Sequence, residues 1–386
     1  MSTPKIEGTC DPRFARLRDA FAESFTRFGE TGASLALTLD NKPVVDLWAG
    51  HTDLEKTRPW QRDSIANVYS TTKGMTAICA LRLVGEGKLD LAAPVARYWP
   101  EFAQGGKSEM PVHYLLSHRA GLPAVKKPLE PSAMYEWDTM TTALAEQEPW
   151  WKPGTRHGYH AVTYGWLVGE VVRRITGRSV GRYFRDEIAG PLGADFHIGL
   201  AADQDARVAP LIPPPPPTPE QMDLFAEILK DLESMLAKAF TNPLVGIGDV
   251  NERVWRGAEI PAANGHTNAR SLARIYGALA SGGAADGVRV LSPEAIEIGH
   301  TKQCEGQDAV LPLYTAFGHG FMLSTPTEKM GPNPNAFGHG GMGGSMGFAD
   351  PQAHLGFGYV MNEMHSGLWL IDPRAAALIE AAHECL

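Results

Sequence analysis

The sequence predicts a mixed α/β (α+β) fold in which both ends of the chain build one antiparallel sheet. Strand-like apolar patterns occur near both ends of the chain, helical periodicity dominates between them, and a helical pattern lies at each terminus. We therefore expect a discontinuous sheet domain of residues 1–60 and 285–386, flanked by the terminal helices. A mainly helical domain of residues 61–284 would be inserted between its two parts.

The N-terminal part of the chain predicts a helix followed by a hairpin. Apolar residues recur at helical spacing over residues 13–28, whereas residues 33–39 and 44–48 have the character of strands. The turn-forming residues Asp40-Asn41-Lys42 separate these two strands, so we expect them to pair as an antiparallel hairpin.

The middle of the chain predicts a series of helices, at residues 72–85, 112–117, 164–176, 181–188 and 220–240. Gly177 directly follows one of these patterns, as is typical of a helix C-terminal cap. Five consecutive prolines at 213–217, followed by Thr218-Pro219, predict an extended loop. That loop is either a rigid surface connection or the border of a pocket.

Strand patterns return at residues 317–324, 345–350 and 356–361, and a helical pattern over 373–385 closes the chain. Because strands lie near both chain ends and helices between them, the C-terminal strands are expected to complete the sheet that the N-terminal hairpin begins.

The composition excludes several classes of protein. Thirty-five basic and 44 acidic residues give a net charge of −9, which argues against a broad nucleic-acid-binding surface. No apolar run approaches the roughly 20 residues of a membrane helix, and no apolar segment typical of a secretory signal follows the N-terminus. The cysteines are scattered, so free thiols and a cytoplasmic location are expected for Cys10, Cys79, Cys304 and Cys385.

Ser70 and Lys73 form a Ser-x-x-Lys pattern where the helical pattern of residues 72–85 begins. Side chains three residues apart on a helix are neighbours, about 5–6 Å apart at Cβ, so Lys73 can reach the Ser70 hydroxyl. A serine hydroxyl needs such a base to act as a nucleophile, and a helix N-terminus offers N–H groups to a developing oxyanion. The tetrapeptide alone also fits a Ser70 helix cap beside a solvated Lys73.

Further motifs around this pair carry a family resemblance. They are Ser-Thr-Thr-Lys-Gly from Ser70, Gly-Lys-Leu-Asp-Leu at 87–91, Leu-Leu-Ser-His-Arg-Ala-Gly-Leu-Pro at 115–123, Pro-Gly-Thr at 153–155 and Gly-His-Gly-Gly-Met-Gly-Gly-Ser at 338–345. In this order the chain resembles the serine β-lactamase and penicillin-binding-protein superfamily, and more narrowly the class C β-lactamase-like family VIII carboxylesterases. The resemblance spans residues 60–360 and implies a β-lactamase/transpeptidase-like fold.

By that resemblance, Tyr159 is the general base that takes the Ser70 proton. A phenol has an ordinary pKa near 10, so we expect a Lys73 ammonium beside it to favour the phenolate. Tyr69 and Tyr164 are nearby alternatives. Members of the superfamily usually carry an asparagine two residues after this tyrosine, where this chain has Ala161. The alanine cannot bind an acylamino group, which disfavours β-lactam or peptide substrates.

The resemblance also places His339-Gly340-Gly341 on a strand that faces Ser70, where β-lactamases carry Lys-Thr-Gly. A neutral histidine then replaces the lysine that would hold a substrate carboxylate. The two glycines permit close approach of a ligand to the strand. The oxyanion hole implied by the resemblance consists of the backbone N–H groups of Ser70 and Met342.

Ser345 offers a competing nucleophile, because Gly343-Gly344-Ser345-Met346-Gly347 matches the Gly-x-Ser-x-Gly elbow of another hydrolase fold. Asp350 and His365 follow in the order that a triad of that fold requires. The elbow needs a helix after the serine, however, and the residues that follow predict strands. We therefore favour Ser70.

Several other side chains lie near these motifs. His157 and His160 lack the spacing of a metal motif, so neither a metal nor a cofactor is expected. His118 is interpreted as a structural residue of a helix-end turn. Asn362 and His365 are candidates for the pocket border. Lining an acyl pocket and packing in the core are equally compatible roles for three tryptophans, Trp150, Trp151 and Trp166.

The function expected from these residues is a serine carboxylesterase that hydrolyses short-chain carboxylic esters through an acyl-enzyme. The alternative is a β-lactamase or D-amino-acid peptidase of the same superfamily. A non-catalytic scaffold is disfavoured, because Ser70, Lys73 and Tyr159 are all present. The expected partner is a small-molecule ester rather than a nucleic acid or a membrane, and the oligomeric state stays open.

Overall fold

The computed structural model describes residues 4–216, 218, 224–246 and 248–386. Its largest element is an antiparallel sheet. Within the described residues it has nine strands, in the spatial order β1 (Glu7–Cys10), β3 (Lys42–Gly50), β2 (Gly32–Leu39), β14 (Leu355–Met361), β13 (Met346–Asp350), β12 (Phe337–Gly340), β11 (Met322–Leu323), β10 (Tyr314–Phe317) and β9 (Cys304–Gln307).

The two ends of the chain meet at the centre of this sheet. Strand β2 pairs with β14 along their whole length, from Leu39 opposite Leu355 to Ala33 opposite Met361. The strands predicted at 33–39, 44–48, 345–350 and 356–361 are β2, β3, β13 and β14, so these predictions are confirmed. Burial of both faces of β2 and β14 explains why these strands are almost continuously apolar.

Helices cover both faces of the sheet. Phe348 of β13 stacks on His383 of α13 (Pro373–His383), and α13 packs in turn against α1 (Ala15–Arg27). Neighbouring residues of a strand point to opposite faces. Gly347 accordingly faces Tyr276 of α11 (Ala269–Ala280), which contacts β2, β13 and β14. Both terminal helices were predicted from the sequence.

The remaining helices lie mostly between β3 and β9. They are α2 (Thr72–Gly85), α3 (His113–Leu116), α4 (Trp137–Glu146), α5 (Thr163–Thr176), α6 (Val180–Phe184), α7 (Gly190–Leu192), α8 (Leu224–Lys230), α9 (Met235–Thr241), α10 (Arg253–Gly257) and α12 (Pro293–His300). Small sheets join β4 (Ala66–Asn67), β6 (His266–Thr267) and β5 (Phe196–His197), and separately β7 (Ala284–Ala285) and β8 (Val288–Arg289). No helix in the described ranges is long and apolar enough to cross a membrane.

Three predicted elements differ from the structure. The helix expected at 220–240 is divided into α8 and α9, because Ser234 starts a new helix by accepting the Ala237 N–H at 3.1 Å; residues 219–223 lie outside the described residues. The strand expected at 317–324 is interrupted at Gly320, whose φ of 96° favours glycine. The helix expected at 181–188 continues from α6 as a π-helix over Arg185–Ala189.

The division into residues 1–60 with 285–386 and residues 61–284 stays a prediction. The large sheet draws its strands from residues 7–50 and 304–361. Helix α11 precedes the predicted boundary at 285 but packs on the sheet. Each cysteine is a free thiol, and Cys79 is buried in α2, as expected.

Arg374 is a buried cation that connects distant parts of the chain to the start of α13. Its guanidinium pairs with Asp372 (Nε to Oδ1, 3.0 Å) and with Glu30 (Nη1 to Oε2, 3.4 Å). It also donates to the carbonyl oxygen of Glu363 at 2.9 Å and to that of Gly343. Buried charges need such additional hydrogen bonds to offset their desolvation. The glycine-rich turn at Gly343 is thereby fixed to the C-terminal helix.

Arg374→Ala is expected to lower the free energy of unfolding by about 3–5 kcal/mol, because it leaves Glu30 and Asp372 buried without their cation. Urea denaturation followed by circular dichroism measures this change. Arg16→Ala is the matched control, since Arg16 pairs with Glu384 at 3.5 Å with both side chains more than half exposed; such pairs contribute about 0–1 kcal/mol. Equal losses in the two variants would contradict the prediction.

Candidate active site

Ser70 lies in a tight turn immediately before α2. Tyr69 has a left-handed backbone with φ of 40°, which reverses the chain just before the serine. The first helical turn then forms, with the Lys73 N–H donating to the Ser70 carbonyl at 2.9 Å. Ser70 is therefore at the helix N-terminus, as predicted, and its side chain lines a cavity. Its own N–H has no acceptor among the described residues.

Lys73 is completely buried in α2, and its amine has three partners. Its Nζ lies 2.9 Å from Ser70 Oγ, 2.6 Å from the Ala161 carbonyl oxygen and 3.0 Å from the Ala262 carbonyl oxygen. The predicted contact between Lys73 and the Ser70 hydroxyl is therefore present. Ala161, whose methyl group replaces the usual asparagine, takes part through its backbone instead.

Tyr159 is the tyrosine that shares the cavity with Ser70. Its phenol is close enough to the Ser70 side chain for that side chain to act on the phenol pKa, and its ring lies under Lys73 Nζ, 4.8 Å from the ring centroid. The alternatives lie elsewhere. Tyr69 packs against Trp255, and the buried hydroxyl of Tyr164, in α5, has no partner in the described part of the chain.

Burial disfavours the charged form of both groups that flank Ser70. It lowers the pKa of Lys73 well below its ordinary value. It also raises the pKa of Tyr159 above its ordinary value, although the adjacent Ser70 side chain acts in the opposite direction. Both shifts favour the neutral form of the group concerned. The expectation of an ammonium beside a phenolate did not take this desolvation into account.

The glycine-rich turn between β12 and β13 packs directly on the Ser70 turn. Within it, the Gly341 N–H donates to the Ser345 carbonyl at 2.7 Å. A Cβ atom on Gly341 would lie 2.2 Å from the Val68 carbonyl oxygen, so only glycine allows this approach. Met342 follows at the cavity surface, and its N–H has no acceptor within the described residues. Both N–H groups of the predicted oxyanion hole are therefore open.

Ser345 has a structural environment rather than that of a nucleophile. It is 2% exposed, and its hydroxyl donates to the Val68 carbonyl at 2.9 Å and lies 3.1 Å from Thr71 Oγ1. A strand follows it, so the elbow geometry is missing. Asp350 binds His383, while His365 pairs with Asp372 at 3.3 Å. Ser345 instead fastens the glycine-rich turn to the turn that carries Ser70.

His339, on β12, is buried beside Tyr159, with 6.1 Å between the ring centroids. Its Nδ1 lies 2.7 Å from the Gly340 carbonyl oxygen, so that nitrogen carries the proton and donates. Burial lowers the pKa of His339 to about 3, and the histidine is neutral, as expected. Its Nε2 is buried, has no partner among the described residues, and is an acceptor in this tautomer.

The cavity over Ser70 has a volume of about 380 Å³ and is lined mainly by apolar side chains. Sequence reasoning missed most of its wall, because these residues come from helices, strands and loops that are far apart in the chain. They are Leu224, Phe240, Leu311, Leu313, Phe317, Met322, Met364, Leu368, Trp369 and Leu370. Pro213–Pro216 also line it, so the part of the proline run that is described borders the pocket.

The other candidates have varied environments. His365 lines the cavity, whereas Asn362 is buried and its carbonyl accepts the Ile212 N–H at 2.8 Å, which holds the start of the proline run. No group that could hold a metal occurs among the described residues, and Nε2 of His157 and both ring nitrogens of His160 have protein partners. None of the three tryptophans lines the cavity. Trp150 and Trp151 donate hydrogen bonds to backbone carbonyls, and Trp166 packs in the core.

His118 supports the segment that carries Tyr159. Its carbonyl accepts the Gly158 N–H at 3.0 Å, and its Nδ1 accepts the His160 N–H at 3.1 Å. Burial lowers the pKa of His118 well below its ordinary value, which keeps Nδ1 free to accept. The structural interpretation of His118 therefore agrees with its contacts.

An antiparallel sheet with a serine–lysine pair on a buried helix and a glycine-rich strand opposite defines the β-lactamase/transpeptidase-like class of folds. The Beta-lactamase family model matches residues 17–381, and the chain belongs to this family. The resemblance stated from the motifs is thereby confirmed. The match includes the segments that carry Ser70, Tyr159 and His339.

Comparisons with individual proteins agree with this assignment. The esterase/beta-lactamase LipL of Mycobacterium tuberculosis (strain ATCC 25618 / H37Rv) is 38% identical over 384 residues, which cover 95% of this chain and 85% of LipL. The crystal structure of a family VIII carboxylesterase is 43% identical, with a TM-score of 0.91 and coverage of 99% of this chain and 100% of that one. A penicillin-binding protein homologue from Caulobacter crescentus is 40% identical, with the same TM-score and coverage.

Labelling with a fluorophosphonate is expected to place one adduct on Ser70, because this serine combines an adjacent amine with an open cavity. Peptide mass spectrometry identifies the labelled residue. Ser345→Ala should still be labelled at Ser70, whereas Ser70→Ala should take up no label. An adduct on Ser345 would contradict the assignment of the nucleophile.

Proposed function

We propose that the protein is a serine carboxylesterase that hydrolyses small, uncharged carboxylic esters through an acyl-enzyme on Ser70. The observation that carries this proposal is the contact of 2.9 Å between Ser70 Oγ and the buried amine of Lys73, at the floor of an apolar cavity. Relatives named as esterases, which resemble the chain over nearly its whole length, support it. A preference for short acyl chains follows from the family resemblance.

Lys73 is the group that accepts the Ser70 proton in this proposal. A neutral amine has two N–H donors and one lone pair, and Lys73 has two carbonyl acceptors, of Ala161 and Ala262, and one hydroxyl partner. The two N–H groups therefore donate to the carbonyls, and the lone pair faces the Ser70 O–H. As Oγ attacks the ester carbonyl carbon, its proton passes to Nζ.

Tyr159 completes the proton transfer. Its phenol donates a proton to the leaving alkoxide, and the Lys73 ammonium then returns a proton to the phenolate, so both groups end neutral. The sequence suggested that Tyr159 takes the Ser70 proton first. The raised pKa of Tyr159 and the lowered pKa of Lys73 favour the present order. In deacylation, water attacks the acyl carbon, and the proton of the water passes to the Lys73–Tyr159 pair. Ser70 Oγ then takes a proton from this pair as it leaves the acyl carbon.

The open N–H groups of Ser70 and Met342 form the proposed oxyanion hole. Each donates to the carbonyl oxygen as it becomes negative, and one such donor typically contributes about 10²–10³-fold to kcat. Ser345 and Gly341 keep the two donors close together by fastening the glycine-rich turn to the Ser70 turn. The unpartnered Nε2 of His339 can accept a hydrogen bond from the alcohol or from water.

The wall of the cavity supports an uncharged substrate. No lysine or arginine lines it in the described ranges, and His339 is neutral where β-lactamases have a cation. Asp372, the carboxylate that lines the wall within the described residues, is already paired with Arg374. A buried substrate charge would therefore lack a counter-charge, which is costly in an apolar site.

Hydrolysis of β-lactams or D-amino-acid peptides is the second candidate, because similar proteins are named an esterase/beta-lactamase and a penicillin-binding protein homologue. Ala161 and His339 oppose it, since neither supplies the amide or the cation those substrates use. A non-catalytic scaffold is disfavoured by the mutual contacts of Ser70, Lys73 and Tyr159.

The wild-type protein is expected to turn over p-nitrophenyl butyrate with a kcat/KM at least about 100-fold above that for nitrocefin, because the site lacks groups for a β-lactam carboxylate and amide. Ser70→Ala should reduce ester hydrolysis on the order of 10⁵-fold. Spectrophotometric initial rates measure both quantities. Comparable values for the two substrates would favour the second candidate, and wild-type rates in Ser70→Ala would contradict the mechanism.

The pH profile should show an acidic limb set by Lys73. The amine is a base only above its pKa, so kcat/KM should rise with pH. The rise should level off at a pH well below about 10, which is the ordinary pKa of lysine and tyrosine. Rates with p-nitrophenyl butyrate, corrected for spontaneous hydrolysis, give the profile.

The control for this profile is Lys107→Met. Lys107 is another buried lysine with carbonyl partners, but it is bound to Ala145 and Gln104 outside the cavity. Its substitution should leave the limb unchanged, whereas Lys73→Met should abolish activity. A single limb near pH 10 in the wild type would contradict a catalytic base with a lowered pKa.

A further inference from the structure

We propose that Asp308 is the positioning residue of Tyr159, holding it at a fixed distance from the wall of the acyl cavity. This inference rests on the function proposed above. Asp308 follows β9 directly and is 6% exposed. Its Oδ1 accepts three backbone N–H groups, those of Tyr159 at 2.9 Å, Val310 at 2.8 Å and Leu311 at 2.9 Å.

These three hydrogen bonds have different structural roles. The bonds to Val310 and Leu311 are local, as in the turns that aspartate side chains commonly stabilise. The bond to Tyr159 crosses 149 positions of the chain. Because Leu311 and Tyr159 both line the cavity, a single carboxylate oxygen sets the spacing between the catalytic phenol and the apolar wall opposite.

The segment around Tyr159 depends on this carboxylate. The neighbouring N–H groups of Gly158 and His160 donate to His118, while the His157 carbonyl accepts the Ala309 N–H at 3.1 Å. The acceptor for the Tyr159 N–H is the Asp308 carboxylate. Removing the Asp308 carboxylate leaves the buried Tyr159 N–H without an acceptor. This loss should lower the stability of the protein and misalign the phenol.

A second contact fixes the carboxylate from the other side. Its Oδ2 accepts the Thr315 hydroxyl at 3.0 Å, and that hydroxyl oxygen also lies 2.9 Å from His157 Nε2. The charge of Asp308 acts on Tyr159 in the same sense as burial, raising the pKa of the phenol. Asp308 therefore supports both the position and the protonated form of the Tyr159 phenol that the proposed mechanism requires.

Loss of this contact should affect the reaction more than the binding of substrate. A misplacement of about 1 Å in a catalytic group can reduce the rate about 100-fold. We expect Asp308→Ala to lower kcat for p-nitrophenyl butyrate about 100-fold, with KM changed less than about 3-fold. Asp308→Asn keeps an oxygen that accepts the same three N–H groups, so it should stay within about 10-fold of the wild-type kcat.

The decisive readout is the effect of Asp308 in a Tyr159→Phe background. Because Asp308 acts through the phenol, Asp308→Asn and Asp308→Ala should lower kcat little further once the phenol is gone. Asp350→Ala is the matched control, since this buried carboxylate also accepts backbone N–H groups, from Gln352 and Ala353 at 3.1 Å, but lies outside the cavity. It should lower the melting temperature without changing kcat.

The outcomes separate this proposal from the proposed function. A wild-type kcat in Asp308→Ala, or a full additional loss in the Tyr159→Phe background, would overturn the positioning role. If Asp308→Ala does not fold, the nearly isosteric Asp308→Asn carries the same double-variant comparison. If the wild type hydrolyses no ester, the proposed function fails instead, and the rate of fluorophosphonate labelling of Ser70 still tests Asp308.

Discussion

The site depends on one constraint, the complete burial of the Lys73 amine. A buried amine must have partners for its polar atoms, and Lys73 finds them in three separate parts of the chain: Ser70, Ala161 and Ala262. The nucleophile turn, the segment after Tyr159 and the loop before α11 must therefore all meet at Nζ. Satisfying one nitrogen brings these three segments together, and the same burial lowers the pKa of the amine.

The glycine-rich turn is held by a second set of contacts that do not involve this nitrogen. Ser345 binds the Val68 carbonyl below Ser70, and Arg374 binds the Gly343 carbonyl from the C-terminal helix. The Ser345 contact is buried and the Arg374 contact is partly buried, and both act on backbone oxygens. The open N–H of Met342 is consequently placed by groups other than Lys73 and Tyr159.

The parts of the molecule that follow a local rule were predictable from the sequence. Helix α2 was predicted with its observed bounds, and Ser70 with Lys73 was found from spacing alone, because contacts three residues apart are local. Tyr159 and His339 needed the family resemblance, since nothing local connects them to Ser70. Asp308, Arg374 and most of the cavity wall were missed, because their roles depend on contacts between distant parts of the chain. The effect of burial on the pKa values of Lys73 and Tyr159 was also missed, since burial is a property of the folded chain.

The proline run has a consequence for what the cavity can recognise. Pro213, Pro214, Pro215 and Pro216 carry no backbone N–H, so this stretch of wall offers carbonyl oxygens and ring carbons but no main-chain donor. One of those carbonyl oxygens, that of Pro215, already accepts a hydrogen bond from the Ser366 hydroxyl. An extended peptide is commonly held by pairing its backbone with an exposed strand edge. Along this wall a peptide would find no such ladder, whereas the hydrocarbon part of an ester needs none.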